Sequence, residues 1–271
     1  MRATGIDIYQ KYQPNYVHQG HHDFIILKVS DGSLSKEFER LYAQSELVPL
    51  KIAYHYLRSG MEAQRQIDAF LNTMEGYHFD GVAIDFEKIG NSPSMQFGQI
   101  LHDTLLGVKA ETNKRTLLYS SPSIIQEWLF WYGHTTWVRE WPLWIAQWPY
   151  YGWNDVMYNV PLTEEVPLTE EWQPRLPAGT VDWKIWQYSA DKNKKGPENG
   201  IMKKYAWSVA PSVDMDVYNG TPAEMMEWFN VTQPPTPPPP SNTFPIDVVG
   251  ILDSSDDDIE AVINIELRRK Q

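Results

Sequence analysis

The stretch Asp80-Gly81-Val82-Ala83-Ile84-Asp85-Phe86-Glu87 is an apolar, β-prone run that ends in two carboxylates two positions apart. Side chains of a strand alternate between its faces, so Asp85 and Glu87 point one way while Val82, Ile84 and Phe86 point the other. Their Cα atoms then lie about 7 Å apart and both acids share one small space. That separation suits paired acid chemistry on a glycosidic bond, with one carboxyl held protonated and its neighbour ionised. A strand end open to water would leave such acids merely solvated. The apolar run before them, and the return of the pattern elsewhere, favour a shared site.

The pattern returns twice. Gly5-Ile6-Asp7-Ile8-Tyr9 is a short β-prone segment carrying one acid, and Ser212-Val213-Asp214-Met215-Asp216-Val217-Tyr218 alternates acid with apolar residue, which puts Asp214 and Asp216 on one face. A single acid in a strand is commonly a rim charge or a cap. Several strands delivering acids inward are another matter, because clustered buried carboxylates are costly unless paired, hydrogen-bonded or protonated.

Between these acids the chain alternates strand-like and helix-like stretches. Strands are expected over residues 5–10, 24–30, 50–57, 80–87 and 116–121, and helices over 35–46, 61–75, 94–112 and 123–132. Such alternation implies a parallel sheet, whose right-handed crossovers close into a barrel at this chain length. Beyond residue 142 the rhythm changes. Leu143 to Trp148, Asp182 to Ser189 and Ser212 to Tyr218 read as strands with no amphipathic helix between them. The expected fold is therefore α/β, a modified, irregular TIM-type βα barrel whose last strands lack intervening helices. Its active site belongs at the C-terminal strand ends, where Asp85 and Glu87 sit.

A family resemblance rests on these residues together. Gly5-Ile6-Asp7, Leu27-Lys28-Val29-Ser30-Asp31-Gly32, Ala53-Tyr54-His55-Tyr56, Asp85-Phe86-Glu87, Leu143-Trp144-Ile145-Ala146-Gln147-Trp148, Trp186-Gln187-Tyr188-Ser189 and Val213-Asp214-Met215-Asp216-Val217-Tyr218 resemble the successive motifs of glycoside hydrolase family 25. Members of that family are lysozymes of the muramidase type, which cleave the β-1,4 bond between N-acetylmuramic acid and N-acetylglucosamine in peptidoglycan. The resemblance implies Glu87 as general acid, with Asp85, Asp7 and Asp214 completing the acidic cluster. Asp31 departs from the family's more usual Glu. The expected chemistry has Glu87, its pKa raised by burial and by the charge of Asp85, protonating the departing oxygen. Either Asp85 attacks the sugar directly, or the substrate's 2-acetamido group does so while Asp85 stabilises the charged ring; the resemblance leans to the second route.

Two rivals differ in testable ways. A family 18 chitinase carries three acids at alternate positions of this strand, and the first of them is here Ala83. A non-catalytic carbohydrate-binding barrel would be marked by loss of Glu87, which is present.

Composition fits sugar binding. Among 271 residues stand 12 Trp and 15 Tyr, and flat rings with polar edges suit pyranose faces. Tyr54, Tyr56, Tyr119, Trp144, Trp148, Trp186 and Tyr188, with Asp216, are the candidate substrate contacts, although each aromatic is equally open to a core role. His55, alone inside a strand, reads as a hydrogen-bonded structural residue. Seven His and no Cys offer no spaced ligand set, so no metal is expected, and no organic cofactor is required by the chemistry. A net charge of −12 disfavours nucleic acid as a partner.

The expected partner is the bacterial peptidoglycan glycan strand. No run reaches the length of a membrane span, and Met1 to Pro14 lacks the apolar core of an export signal. A phage endolysin released through a membrane pore fits, as does a secreted enzyme whose signal has been removed. Residues 1–232 are assigned to the catalytic barrel, 233–240 to a proline-rich linker, and 241–271 to a short acidic tail with a helix-prone stretch from Ile259 to Lys270. The tail is a candidate targeting or assembly element, and the oligomeric state is left open. A tandem repeat, Val160-Pro161-Leu162-Thr163-Glu164-Glu165 followed by Val166-Pro167-Leu168-Thr169-Glu170-Glu171, reads as a surface loop.

Overall fold

Eight strands close into a barrel in sequence order: β1 (Thr4–Ile8), β2 (Phe24–Ser30), β3 (Leu50–Tyr56), β4 (Gly81–Asp85), β5 (Arg115–Ser120), β6 (Leu143–Ala146), β7 (Trp183–Ser189) and β8 (Asp214–Tyr218). The computed structural model describes residues 1–9, 22–87, 95–131, 135–147, 173–177, 179–180, 182–189 and 214–231. The chain divides into two units, Met1–Pro234 and Pro235–Gln271. The second unit, the linker and tail of the sequence reading, and the repeat at 160–171 lie outside the described residues.

Neighbours from β1 to β7 are parallel, whereas β8 runs antiparallel to both β7 and β1. The expectation of a parallel sheet is corrected here to a mixed one. An antiparallel neighbour needs no crossover helix, which accounts for the absence of helical periodicity in the sequence just before β8. The reversal matters for the site, because β8 brings its first residue, Asp214, to the end of the barrel where its neighbours bring their last.

Helices cover the outer face. They are α1 (Phe38–Gln44), α2 (Ala63–Met74), α3 (Met95–Thr112), α4 (Pro122–Ile124, running into a π-helical segment Ile125–Trp131) and α5 (Pro222–Trp228). In α2 the buried Gln66, Ile67 and Phe70 recur at helical spacing, giving one stripe to the sheet. The last helix is started by Thr221, whose hydroxyl accepts from the Glu224 amide while the Glu224 carboxylate accepts from the Thr221 amide, with Pro222 in the first turn.

Period-two alternation sorts the strand side chains into two cores. Ile6, Ile25, Leu27, Val82, Ile84, Phe86, Leu118, Ile145 and Trp186 belong to the outer core beneath the helices. Phe24, Ile26, Leu50, Ile52, Leu117 and Ile185 belong to the inner core of the barrel, which Met225, Met226 and Phe229 join from α5 and its end. Gly81 allows that closure: a Cβ there would stand 2.3 Å from the Phe229 ring.

Candidate active site

Above this apolar filling the inward positions turn polar. Along β4 the inward residues are Gly81, Ala83 and Asp85, a progression from contact with Phe229 to a carboxylate. Strand pairing continues past the end of β4: the Leu57 amide donates to the Asp85 carbonyl at 2.9 Å and the Phe86 amide to the Tyr119 carbonyl at 2.9 Å. The Ser120 hydroxyl adds a 2.7 Å bond to the Phe86 carbonyl. The backbone that carries Asp85 and Glu87 is thereby held from both sides.

Both acids line a cavity of about 240 Å³ at the C-terminal ends of β1–β7. Asp7 from β1 and Asp214 from β8 line it too, with Tyr54, Tyr56, Tyr119 and Trp144 as its aromatic wall. Tyr9, Lys28 and Gln187 complete it. Trp144 is the hub of the floor: its ring lies 4.2 Å from Tyr119 and 5.8 Å from Tyr54 between centroids. Ala83 sits in the same inner core as these rings, so the place of a third acid is apolar.

A chain of hydrogen bonds runs under the cavity. The Tyr119 hydroxyl donates to Gln187 Oε1 at 3.1 Å, Gln187 Nε2 donates to Asp7 Oδ2 at 2.7 Å, and Trp144 Nε1 donates to Asp216 Oδ1 at 2.8 Å. Asp7 and Asp216 meet as a hydrogen-bonded pair. Burial, the charge of Asp216 and that shared bond hold the Asp7 carboxyl well above the usual carboxylate range; burial raises Asp216 to about 8. The pair therefore holds its protons to higher pH than ordinary carboxyls do, and among the described residues Asp216 Oδ2 is buried with no hydrogen-bond partner outside the pair.

Asp85 and Glu87 are linked in a different way. Burial first, then the charge of Glu87, pushes Asp85 well above its ordinary value, while Glu87 is raised by burial and drawn back by Lys28. Burial raises both acids, and repulsion between two carboxylates in one space disfavours ionising the pair together. The two acids titrate as a pair, and the ionisation of one disfavours that of the other. Among the described residues Asp85 Oδ1 is buried with no hydrogen-bond partner. Lys28 is the cation of this wall, lying 3.2 Å from Asp31 and 4.9 Å from the centre of the Tyr56 ring.

Not every expected contact reaches the cavity. Trp186 and Tyr188 are buried in the outer core, and the Trp186 indole donates to the Gln147 carbonyl at 2.6 Å. On β7 the inward residues are Ile185 and Gln187, so the aromatic neighbours of Gln187 face away from the cavity. Asp216 lies beneath the cavity, fully buried, and supports Asp7 and Trp144 instead of lining the wall. Trp148 lies outside the described residues. His55 has the structural role expected: Ser30 Oγ stands 2.7 Å from Nδ1 and Gln66 Oε1 3.1 Å from Nε2, and burial lowers its pKa to about 4.

Sequence reasoning missed Lys28, Tyr9 and Gln187 as site residues. Alternation held the signal for Lys28, which shares parity with the inward Phe24 and Ile26 in β2. Among the described residues no group of His, Asp and Glu is arranged to hold a metal ion, and no helix is long and apolar enough to cross a membrane.

A closed βα barrel with clustered carboxylates and aromatic rings at its C-terminal strand ends defines a barrel built for carbohydrate chemistry. The chain belongs to the glycosyl hydrolases family 25, whose pattern matches residues 5–197. Its fold is similar to that of the bacterial lysozyme from Streptomyces coelicolor, with 21% identity over 86% of this chain and 99% of that one and a TM-score of 0.62. The muramidase from Trichobolus zukalii is similar at 19% identity, 85% and 100% coverage and a TM-score of 0.59. The catalytic domain of endolysin ply40 from bacteriophage P40 of Listeria monocytogenes is similar at 20% identity, 86% and 98% coverage and a TM-score of 0.52. No curated protein matches the sequence.

Proposed function

We propose that the protein is a muramidase that cleaves the β-1,4 bond between N-acetylmuramic acid and N-acetylglucosamine, with Glu87 as general acid and Asp85 as the stabiliser of a substrate-derived intermediate. The observation that carries this reading is the unpartnered, buried Oδ1 of Asp85 beside Glu87 in one aromatic-walled cavity. A sugar 2-acetamido N–H is the donor such an oxygen lacks. Donation to Asp85 favours its ionised form, which keeps the proton of the pair on Glu87. Glu87 then protonates the leaving oxygen, and the acetamido carbonyl closes on the anomeric carbon while the Asp85 charge balances the ring that forms. Asp7, Asp214 and Gln187 orient the substrate and Asp85; Tyr54, Tyr56, Tyr119 and Trp144 hold the glycan. Asp216 supports this layer from below.

Family membership supports the reaction class, and Ala83 in an apolar setting argues against the three-acid chitinase arrangement. Digestion of peptidoglycan tests the reading. New reducing ends of N-acetylmuramic acid, identified by borohydride reduction and mass spectrometry, are expected; ends of N-acetylglucosamine, or release from chitin without wall digestion, overturn it.

The setting is the bacterial wall. We favour an endolysin released by phage-driven lysis, a role supported only in outline by the phage protein among the fold neighbours. Lysis of cells making the protein only when a membrane pore-former is added is the expected outcome. For the region after the barrel we propose a linker and a targeting or assembly tail. A chain stopped after Val231 should keep its fold and its activity on soluble glycan, because all the site residues lie upstream and, among the described residues, Val231 is the last packed on the inner core.

A further inference from the structure

A second cavity of about 480 Å³ opens at the opposite end of the barrel, where β5 and β7 begin. Lys109, Lys114, Arg115 and Lys184 line it, against the single carboxylate of Glu140. In a chain of net charge −12, four cations around one hollow run against the overall balance. We propose that this cavity is a binding subsite for a sugar phosphate, the repeating chemistry of a phosphate-bearing polysaccharide.

The cations are only partly engaged by the protein. Lys184 Nζ meets Asp182 at 2.7 Å, and Arg115 Nε donates to the Trp228 carbonyl at 2.8 Å. Lys109 lies in the last turn of α3, where the helix dipole favours a positive charge. Neither arrangement accounts for Lys114. Among the described residues no ion pair engages Lys109, Lys114 or Arg115.

Two indoles join these charges. Lys109 stands 5.3 Å from the Trp141 ring, while Arg115 and Lys184 stand 5.4 Å and 5.7 Å from that of Trp228. Trp141 is 6% exposed, and its indole N–H is buried without an acceptor among the described residues. The lining therefore offers more cationic N–H donors than its one carboxylate, Glu140, can meet, and the anionic oxygens of a ligand would take up the excess. Lysine ammonium groups bind phosphate as point charges, and an indole with its polar edge suits a sugar ring. A ligand that carries both is a sugar phosphate. The cavity lies away from the carboxylates, so its occupant is not the bond being cut. Holding the enzyme to a wall polymer beside its glycan is a consequence that rests on the proposed wall hydrolase; the binding itself does not.

Titration calorimetry of the full chain with glucose 1-phosphate, glucose and inorganic phosphate tests the site, alongside the variant K109Q/K114Q. Saturable binding of glucose 1-phosphate is expected, weakened by salt and tighter than that of glucose or inorganic phosphate. The variant should bind at least about tenfold more weakly while keeping its activity on soluble glycan fragments. Absence of saturable binding overturns the proposal, as does equal affinity in a variant shown to be folded. Inorganic phosphate binding as tightly as the sugar phosphate overturns the sugar component and leaves a general anion pocket. Failure of the muramidase reading would appear separately, in the reducing ends of wall digests.

Discussion

The two ends of the barrel interior are built from the same alternate strand positions and do opposite work. At the lower end Phe24, Leu50, Met225 and Phe229 are buried in contact, and each such side chain contributes about 1.5–3 kcal/mol by leaving water. At the upper end the same positions carry Asp7, Asp85 and Asp216, whose raised pKa values mark a cost of burial that the lower end offsets. Stability is concentrated at one end and reactivity at the other. The comparison is exposed to experiment at each level.

The largest effect should come from Glu87→Gln. The exchange removes the proton donor at nearly constant shape and should lower turnover by about 10²–10⁴-fold, with glycan binding largely retained. Near-normal turnover in the folded variant would return the search for the acid to Asp7 and Asp214.

Asp216→Asn probes the cost of the upper layer. A carboxyl whose folded pKa is raised from 3.8 to about 8 contributes stability that is present below the ordinary value and lost as pH rises through the folded one. Urea unfolding of the parent should therefore show a decline across this window, on the order of several kcal/mol at most. The asparagine variant, which can still accept from Trp144 and can donate to Asp7, should decline less steeply. Parallel curves would show that the buried pair is not the source.

At the lower end the cost is steric. Gly81→Ala forces Phe229 to move, because the new Cβ would stand 2.3 Å from its ring, and overpacking of this kind typically costs about 1–3 kcal/mol. A lower melting temperature with unchanged activity per folded molecule would sharpen the contrast; lost activity in a stable variant would blur it.

The smallest effect should be that of Lys28→Gln. Lys28 lowers both Asp85 and Glu87, so its removal should raise them and move the alkaline limb of the pH–rate profile upward by less than about one unit. The limb belongs to the coupled pair and not to either acid. A shift to lower pH would contradict the sign.

Much of this was legible beforehand because period two is a local property. Asp85, Ala83 and the apolar positions of β4 were sorted to their faces by alternation alone, and the inward acids of β1 and β8 followed the same rule. Trp186 and Tyr188 were not sorted, since aromatic composition says nothing about which face of β7 meets the barrel interior. The irregular pairing of β6 with β7 between Leu143 and Trp144, and of β7 with β8 after Gln187, sets that face through contacts between strands distant in the chain.

By itself the sequence determined the barrel class and the strand positions of the acids, because these are written in periodicity and in motifs that each occupy a few consecutive residues. Only the tertiary structure decided that β8 runs antiparallel, that Asp216 supports Asp7 from below, that Gln187 joins Tyr119 to Asp7, and that burial raises Asp85 and Glu87 together. Those outcomes depend on strand direction, depth of burial and the distance between charges from separate strands, and none of these is a property of a local stretch of chain.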